Sequence, residues 1–389
     1  MGKSQNYRRA SVGVTRICSM LSVAVLLLSG SSPCGRGADR PASDTTHGFS
    51  YQHDEVRDKP WSVHIVKVDR ASPEVELHTM LGQGDRFGMA TLSQQIRVLP
   101  PEIGRPVAAV NGDYYYRQYP YVGTPKGLQI LRGELVSGPS DWTCFWIDAS
   151  GQPHMTNVLS RFAVTWPTGE KTEIGLNDER ASDAVVLFTA AIGKSTRTRG
   201  GREYVLERSG TNTWLPLRAG QTYVARVREA REGGDSPLDK DTAVLSLGKQ
   251  ASARLPAVAS GSALRISTAT WPDLKGVTTA IGGGPPLVRG GQVIDRSYAR
   301  VRHPRTAIGW NKGSLFLVEV DGRQIRLSVG MTDRELANYM IKLGCEEAMS
   351  LDGGGSATCW VYGQVMNSPS EGHERPMANG LVLVRKEKK

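Results

Sequence analysis

The 389-residue chain predicts an α+β fold: one large mixed-sheet domain, mostly antiparallel, with few helices and a β-rich insertion near its middle. Three observations carry this expectation. The 44 Gly and 21 Pro punctuate the chain too often for a helical bundle. Most apolar residues fall in short alternating runs, and a single segment near the C-terminus has a sustained helical period.

Taken in order, Lys3, Arg8, Arg9 and Arg16 precede an apolar run, Ile17 to Leu28, and a small, turn-forming stretch, Ser29 to Gly35. That is the three-part plan of a secretory signal peptide, placed at residues 1–38. A membrane-spanning helix needs about 20 apolar residues, more than this run supplies, and no other stretch is long enough, so no stable span is expected after cleavage. Arg8-Arg9 leaves a twin-arginine signal open, while Pro33 before Cys34 fits a lipidation site poorly. The expected location is secreted or periplasmic.

Residues 39–60 read as a polar, loose lead-in, and residues 39–99 together as an N-terminal β-rich segment. Val63, Ile65 and Val68 alternate with polar neighbours, as do Val75, Leu77 and Thr79, which predicts two strands. A short helix is expected over Thr91–Val98, and a buried strand over Val107–Val110 that turns at Asn111-Gly112-Asp113. Residues 147–276 form the insertion, with strands at Phe162–Trp166, Ala184–Phe188, Tyr204–Leu206, Tyr223–Val227, Ala243–Leu247 and Ala263–Ile266 and an exposed loop over Arg228–Asp241. Three short echoes, at 132–136, 289–293 and 362–365, each read as strand, Gly turn, strand. Further on, Leu315–Val320 and Arg323–Val329 are expected as a hairpin about Asp321-Gly322. Thr332 and Glu335 form a capping box for a helix with Leu336, Tyr339, Met340 and Leu343 on one face and Gly344 as its stop.

The formal charge is +10, and about half of the excess lies in the leader. The remainder is spread singly, which suits an anionic small molecule or glycan and excludes the clustered basic and aromatic pattern of a nucleic-acid groove. Cys144, Cys345 and Cys359 are an odd number with no neighbouring His, so buried apolar thiols are expected rather than a disulfide framework or a nucleophile. The seven His are scattered without ligand spacing, which disfavours a zinc hydrolase. No cofactor is expected and no metal is assigned, with a divalent ion on Asp113 and Asp352 left open.

Polar turns follow apolar strands at three places: Asn111 to Tyr115, Ile281-Gly282-Gly283-Gly284-Pro285-Pro286, and Asp352-Gly353-Gly354-Gly355-Ser356. Triple glycine lets main-chain N–H groups converge on an anion. Arg305, with Thr306 beside it, offers a fork that matches phosphate geometry. Asp321 is assigned mainly to its turn.

Six segments in order, NGDYY at 111–115, IGGGPPLV at 281–288, HPRTAIGW at 303–310, VDGR at 320–323, MTDRELA at 331–337 and LDGGGSAT at 351–358, resemble the phosphodiester glycosidase family over roughly residues 100–387. The resemblance implies an exported hydrolase that cleaves the C1–O bond of sugar-1-phosphodiesters in phosphoglycans or exopolysaccharides. The alternative is a non-catalytic phosphoglycan-binding envelope protein on the same scaffold. Asp352, Asp113 and Arg305 are the expected catalytic residues. Asn111, Gly282, Gly283, Gly284, Thr306, Gly353, Gly354, Gly355 and Ser356 are the expected substrate binders. The partner is a small or polymeric phosphoglycan, and oligomeric state is left open.

Overall fold

The computed structural model describes residues 48–294 and 300–386, so the signal peptide expected at residues 1–38 lies outside it. Strands dominate and are arranged in four sheets, while the three α-helices among the described residues are six, six and ten residues long. The expected β-rich core is therefore present, and helix is a smaller component than the expectation of an α+β fold implies.

The seven-stranded sheet runs Phe49–Val56, Trp61–Asp69, Ser314–Val320, Arg305–Trp310, Glu347–Ser350, Pro286–Arg289 and Gln292–Val293. A five-stranded sheet runs Gln364–Val365, Cys359–Val361, Arg105–Asn111, Asn379–Arg385 and Val75–Leu81. Side chains alternate across a strand, so the seven-stranded sheet has two distinct faces. On one, Val66, Val68, Ile308, Leu315 and Leu317 pack on Val107, Leu381 and Leu383 of the five-stranded sheet. On the other, Val63, Ile65, Ala307, Phe316 and Val318 pack on Leu336 and Met340 of the helix Asp333–Lys342.

That helix follows its sequence signals. Glu335 N–H donates to Thr332 Oγ1 at 3.2 Å and Thr332 N–H donates to Glu335 Oε2 at 2.9 Å, so each satisfies a donor the helix start would leave orphaned. Gly344, at φ +91°, supplies the left-handed stop.

A second five-stranded sheet joins Glu134–Ser137, Gln129–Leu131, Thr279–Gly282, Thr143–Ile147 and Pro153–Asn157. Residues 159–271 supply all eight strands of a further sheet, antiparallel except where Gly175–Leu176 pairs with Val185–Phe188. All three echoes are hairpins.

Three local expectations fail. Phe49–Val56 is a strand paired along its length with Trp61–Asp69, because its alternate residues Phe49 and Tyr51 reach the core although the segment is polar in composition. Arg228–Glu232 continues the strand Thr222–Glu232, because cross-strand bonding to Arg202–Val205 sustains it without apolar side chains. Residues 323–329 form no strand. Ser314–Val320 takes its partners from Trp61–Asp69 and Arg305–Trp310 instead, so the chain leaves the sheet at Asp321.

Candidate active site

Three elements bring the site together. Asn111 ends a buried strand, and the chain turns through Asp113 to Tyr114. The segment after Glu347–Ser350 runs beside the start of Arg305–Trp310, with Leu351 N–H donating to Thr306 O at 2.8 Å and Gly354 N–H donating to Pro304 O at 2.9 Å. Asp352 N–H donates to Gly112 O at 2.8 Å, which ties the first segment to the second.

Asn111 is the knot of this crossing. Its Nδ2 donates to Asp352 O at 2.6 Å, and its Oδ1 accepts from Thr306 Oγ1 at 2.6 Å and from Thr358 N–H at 3.1 Å. Both Asn111 and Thr306 are fully buried. They were expected to bind substrate, but their polar atoms are spent on each other and on the backbone, so they hold the site's floor instead.

Asp352 is only partly buried and lines a cavity of about 440 Å³ with Tyr114, Tyr115, Tyr116, Arg117, Gln118 and Lys126. Burial raises its carboxyl above the usual range, opposed by Ser356, by the Gly353 N–H at 2.9 Å, and by the charges of Arg117 and Arg375. Ser356 is itself buried, and its hydroxyl lies beside Asp352 without a hydrogen bond of ordinary geometry. Arg375, paired with Glu371, packs over Gly355 so closely that a Cβ there would collide with both side chains.

Asp113 lies deeper, at 2% exposure, and neither cavity beside Tyr114 reaches it. Its Oδ1 accepts from Tyr114 N–H at 2.7 Å and its Oδ2 from Gly127 N–H at 2.8 Å. Burial nevertheless pushes its pKa up to about 7, with Asp352 adding to the rise. A Cβ on Gly127 or Gly282 would stand 2.7 or 2.4 Å from Asp113 Oδ2, so these glycines make the room that the carboxylate occupies.

The expected amide nest at Gly282–Gly284 does not form. Gly282 N–H donates to Leu128 O, Gly283 N–H to Thr143 O and Gly284 N–H to Ser350 O, because these residues end a strand bonded on both sides. At the second triple glycine, Gly353 and Gly354 N–H are likewise taken, by Asp352 Oδ1 and Pro304 O. Gly283 and Gly284 still line a second cavity, of about 490 Å³, with Tyr114, Asp141, Trp142, Asn157, Arg305 and Asp333 among its walls.

Arg305 thus reaches the cavity system, but on the helix face of its strand. Its Nη1 stands 2.8 Å from Asp333 Oδ1, its Nε donates to Met331 O at 2.9 Å, and its Nη2 donates to Val301 O at 3.2 Å. An arginine whose charge is matched by Asp333 is a poor first choice for a phosphate. Tyr114 is the wall common to both cavities, and burial, with the Asp352 charge next, pushes its hydroxyl up to about 12.

Arg117, Lys126, Arg375 and Trp142 were missed in the sequence. Arg117 follows directly on the tyrosine run and lies over the ring of Tyr115, which was the available signal, whereas Lys126, ten residues past Tyr116, is brought over that ring by the fold. Nothing local marked Arg375. Cys144, Cys345 and Cys359 are free and buried, and burial raises all three thiols, so the expectation of inert apolar thiols fits them.

No described helix is long and apolar enough to cross a membrane. Among the described residues, the metal-capable side chains that gather in a group of three are His64, Glu319 and Asp321.

Known proteins match this chain in part. A Bacillus subtilis SPbeta prophage-derived protein, YomE, is 40% identical over 84 residues, 21% of this chain and 13% of that one. Bovine N-acetylglucosamine-1-phosphodiester alpha-N-acetylglucosaminidase is 36% identical over 75 residues, 19% of this chain and 14% of that one. The matches therefore span a small fraction of either relative's length. A Synechocystis hypothetical protein shares the fold at a TM-score of 0.68 and 20% identity, covering 87% of this chain and 62% of its own. A Burkholderia pseudomallei K96243 protein named for export does so at 0.63 and 22%, covering 83% and 74%. The family model for phosphodiester glycosidase matches residues 218–384, a segment that includes Gly282–Gly284, Arg305, Asp352 and Arg375. Residues 218–384 of this chain thus resemble the phosphodiester glycosidase family.

Proposed function

We propose that the protein is an exported glycosidase that hydrolyses the C1–O bond of a sugar-1-phosphodiester. The observation that carries this reading is the division of the cleft at Tyr114. On one side Asp352 shares its cavity with Arg117 and Lys126; on the other, Trp142, Asn157 and Asp141 offer a ring and polar groups of the kind that hold a sugar. In this reading the glycosyl unit occupies the Trp142 side and the phosphodiester lies against Arg117 and Lys126, with C1 at Asp352.

The chemistry fits these side chains. A phosphate monoester leaves readily with the electron pair of the C1–O bond, so the site must balance its charge and the oxocarbenium-like sugar more than protonate an oxygen. Arg117, Lys126 and Arg375 supply positive charge, and Asp352 is the carboxylate acting at C1. Asp113 is buried beneath it and sets its environment. Water supplies the oxygen that ends on C1. Export rests on the plan of residues 1–38.

The test is incubation of the purified protein with a sugar-1-phosphate alkyl diester in heavy-oxygen water. Free sugar carrying the label at C1, with unlabelled alkyl phosphate, supports the reading. Release of sugar-1-phosphate would mean P–O cleavage and a phosphodiesterase. Saturable binding without turnover would favour a phosphoglycan-binding protein.

A further inference from the structure

Behind the floor of the site, the face of the seven-stranded sheet that packs on its neighbour changes from apolar to ionisable. His64, Glu319 and Thr306 occupy consecutive cross-strand positions there, and Asp321 follows at the strand's end. One ligand atom each from His64, Glu319 and Asp321 lies within 4.8 Å of the others, and all three residues are buried. We propose that His64 Nε2, Asp321 and Glu319 form a structural site for a borderline divalent cation of the Zn²⁺ class.

Each ligand has the support that such a site requires. Tyr51 Oη lies 2.8 Å from His64 Nδ1, which fixes the ring and turns Nε2 toward the carboxylates. Ser368 N–H donates to Asp321 Oδ1 at 2.8 Å, and Ser62 Oγ donates to Asp321 Oδ2 at 2.8 Å. Asn367 Nδ2 donates to Glu319 Oε1 at 3.2 Å. The remaining oxygen, Glu319 Oε2, is fully buried with no hydrogen-bond partner in the structure. A buried carboxylate oxygen left unmatched beside a second carboxylate is costly, and a cation is one of the two things that relieve it. The other is a proton.

The spacing admits the ion, although without one the same contact is a His64–Asp321 hydrogen bond. Ligands bound at about 2.1 Å to a tetrahedral ion stand about 3.4 Å from one another, and His64 Nε2 to Asp321 Oδ2 is 3.2 Å. An imidazole with two carboxylates suits zinc or manganese better than calcium, which takes oxygen alone. The site would tie the strands Trp61–Asp69 and Ser314–Val320 to the loop at Asn367-Ser368, far from any need for an open coordination position.

The full chain, stripped with EDTA and dialysed, is titrated with Zn²⁺ and separately with Co²⁺, then gel-filtered and assayed for metal. The expected result is retention of a single ion per chain, visible d–d bands with Co²⁺, and a thermal midpoint raised by about 5 °C. Glu319→Gln, which keeps the shape, should lose all three responses, and His64→Gln should lose the Co²⁺ bands. Failure of the wild type to retain either metal would overturn the proposal and leave a proton on Glu319. Equal retention by wild type and Glu319→Gln would overturn it too, by placing the ion elsewhere. The wild-type result stands whether or not a variant folds.

Discussion

Glu203 lies in the eight-stranded sheet of residues 159–271, and Glu319 in the seven-stranded sheet that carries Arg305; both are fully buried. Around Glu203, Thr198 Oγ1 donates to Oε1 at 2.7 Å and Ser236 N–H donates to Oε2 at 2.8 Å. Burial pushes that carboxyl up, but the donors outweigh it and the net shift is downward. Glu319 is equally without exposure but lies deeper and has a single donor, so burial, with Asp321 beside it, pushes its carboxyl well up. The lesson extends to Asp352 and Asp113, whose carboxyls are also raised by burial. Donor count separates Glu203 from Glu319, but Asp113, with two N–H donors of its own, is raised all the same, so burial decides there.

The largest expected break in that pattern is Asp352→Asn. It should reduce turnover of a sugar-1-phosphodiester by about 10³-fold with an unchanged thermal midpoint, as expected for a group acting in the transition state. Because the carboxyl is raised and must be ionised to act, the acidic limb of the wild-type pH–rate profile should lie above the ordinary carboxylate value of 3.8. A limb at or below that value would separate Asp352 from the rate.

Next in size is the contrast between the glutamates themselves. Glu203→Ala leaves the Thr198 and Ser236 donors unpaired in the core and should destabilise the protein by about 2 kcal/mol, read by urea unfolding. Glu319→Gln, measured in EDTA, should cost less than about 1 kcal/mol or stabilise. Equal losses would end the distinction between the two regions.

Arg117→Ala and Lys126→Ala should each lower kcat/KM by about tenfold, with kcat falling because both balance charge that grows on the departing phosphate, and the wild-type KM should rise with salt. Arg305→Ala should act instead through the midpoint, because it leaves Asp333 without its partner.

A separate effect, read in stability against pH, concerns Asp113. The folded chain, with a pKa raised to about 7, holds a proton there that the unfolded chain at 3.8 has released. Stability therefore falls as pH rises from about 4 to about 7, and Asp113→Asn should flatten that slope. A slope unchanged in the variant would assign it to another group.

Much of the fold was legible because its signals are local. The box at Thr332 and Glu335, the Gly344 stop, the three short Gly-turn hairpins and the strand runs within residues 159–271 each state their conformation within a few residues. Phe49–Val56 was not legible, since its stability comes from a partner strand rather than its own composition. The three polar turns were read as sites, and the structure divides them: Asp352 opens to a cavity, Asn111 with the strand residue Thr306 serves as its support, and Gly282–Gly284 spend their N–H groups on backbone carbonyls.

By itself, the sequence determined which segments turn, which alternate, and that three glycines follow Asp352, because these are properties of neighbouring residues. Only the tertiary structure decided which donors remain free. Whether a glycine N–H faces a ligand or a carbonyl, whether Arg305 meets a phosphate or Asp333, and whether His64 meets Asp321 from 257 positions away all depend on which strands pair. Strand pairing follows the sum of burial over a whole sheet, and no short stretch of residues contains that sum.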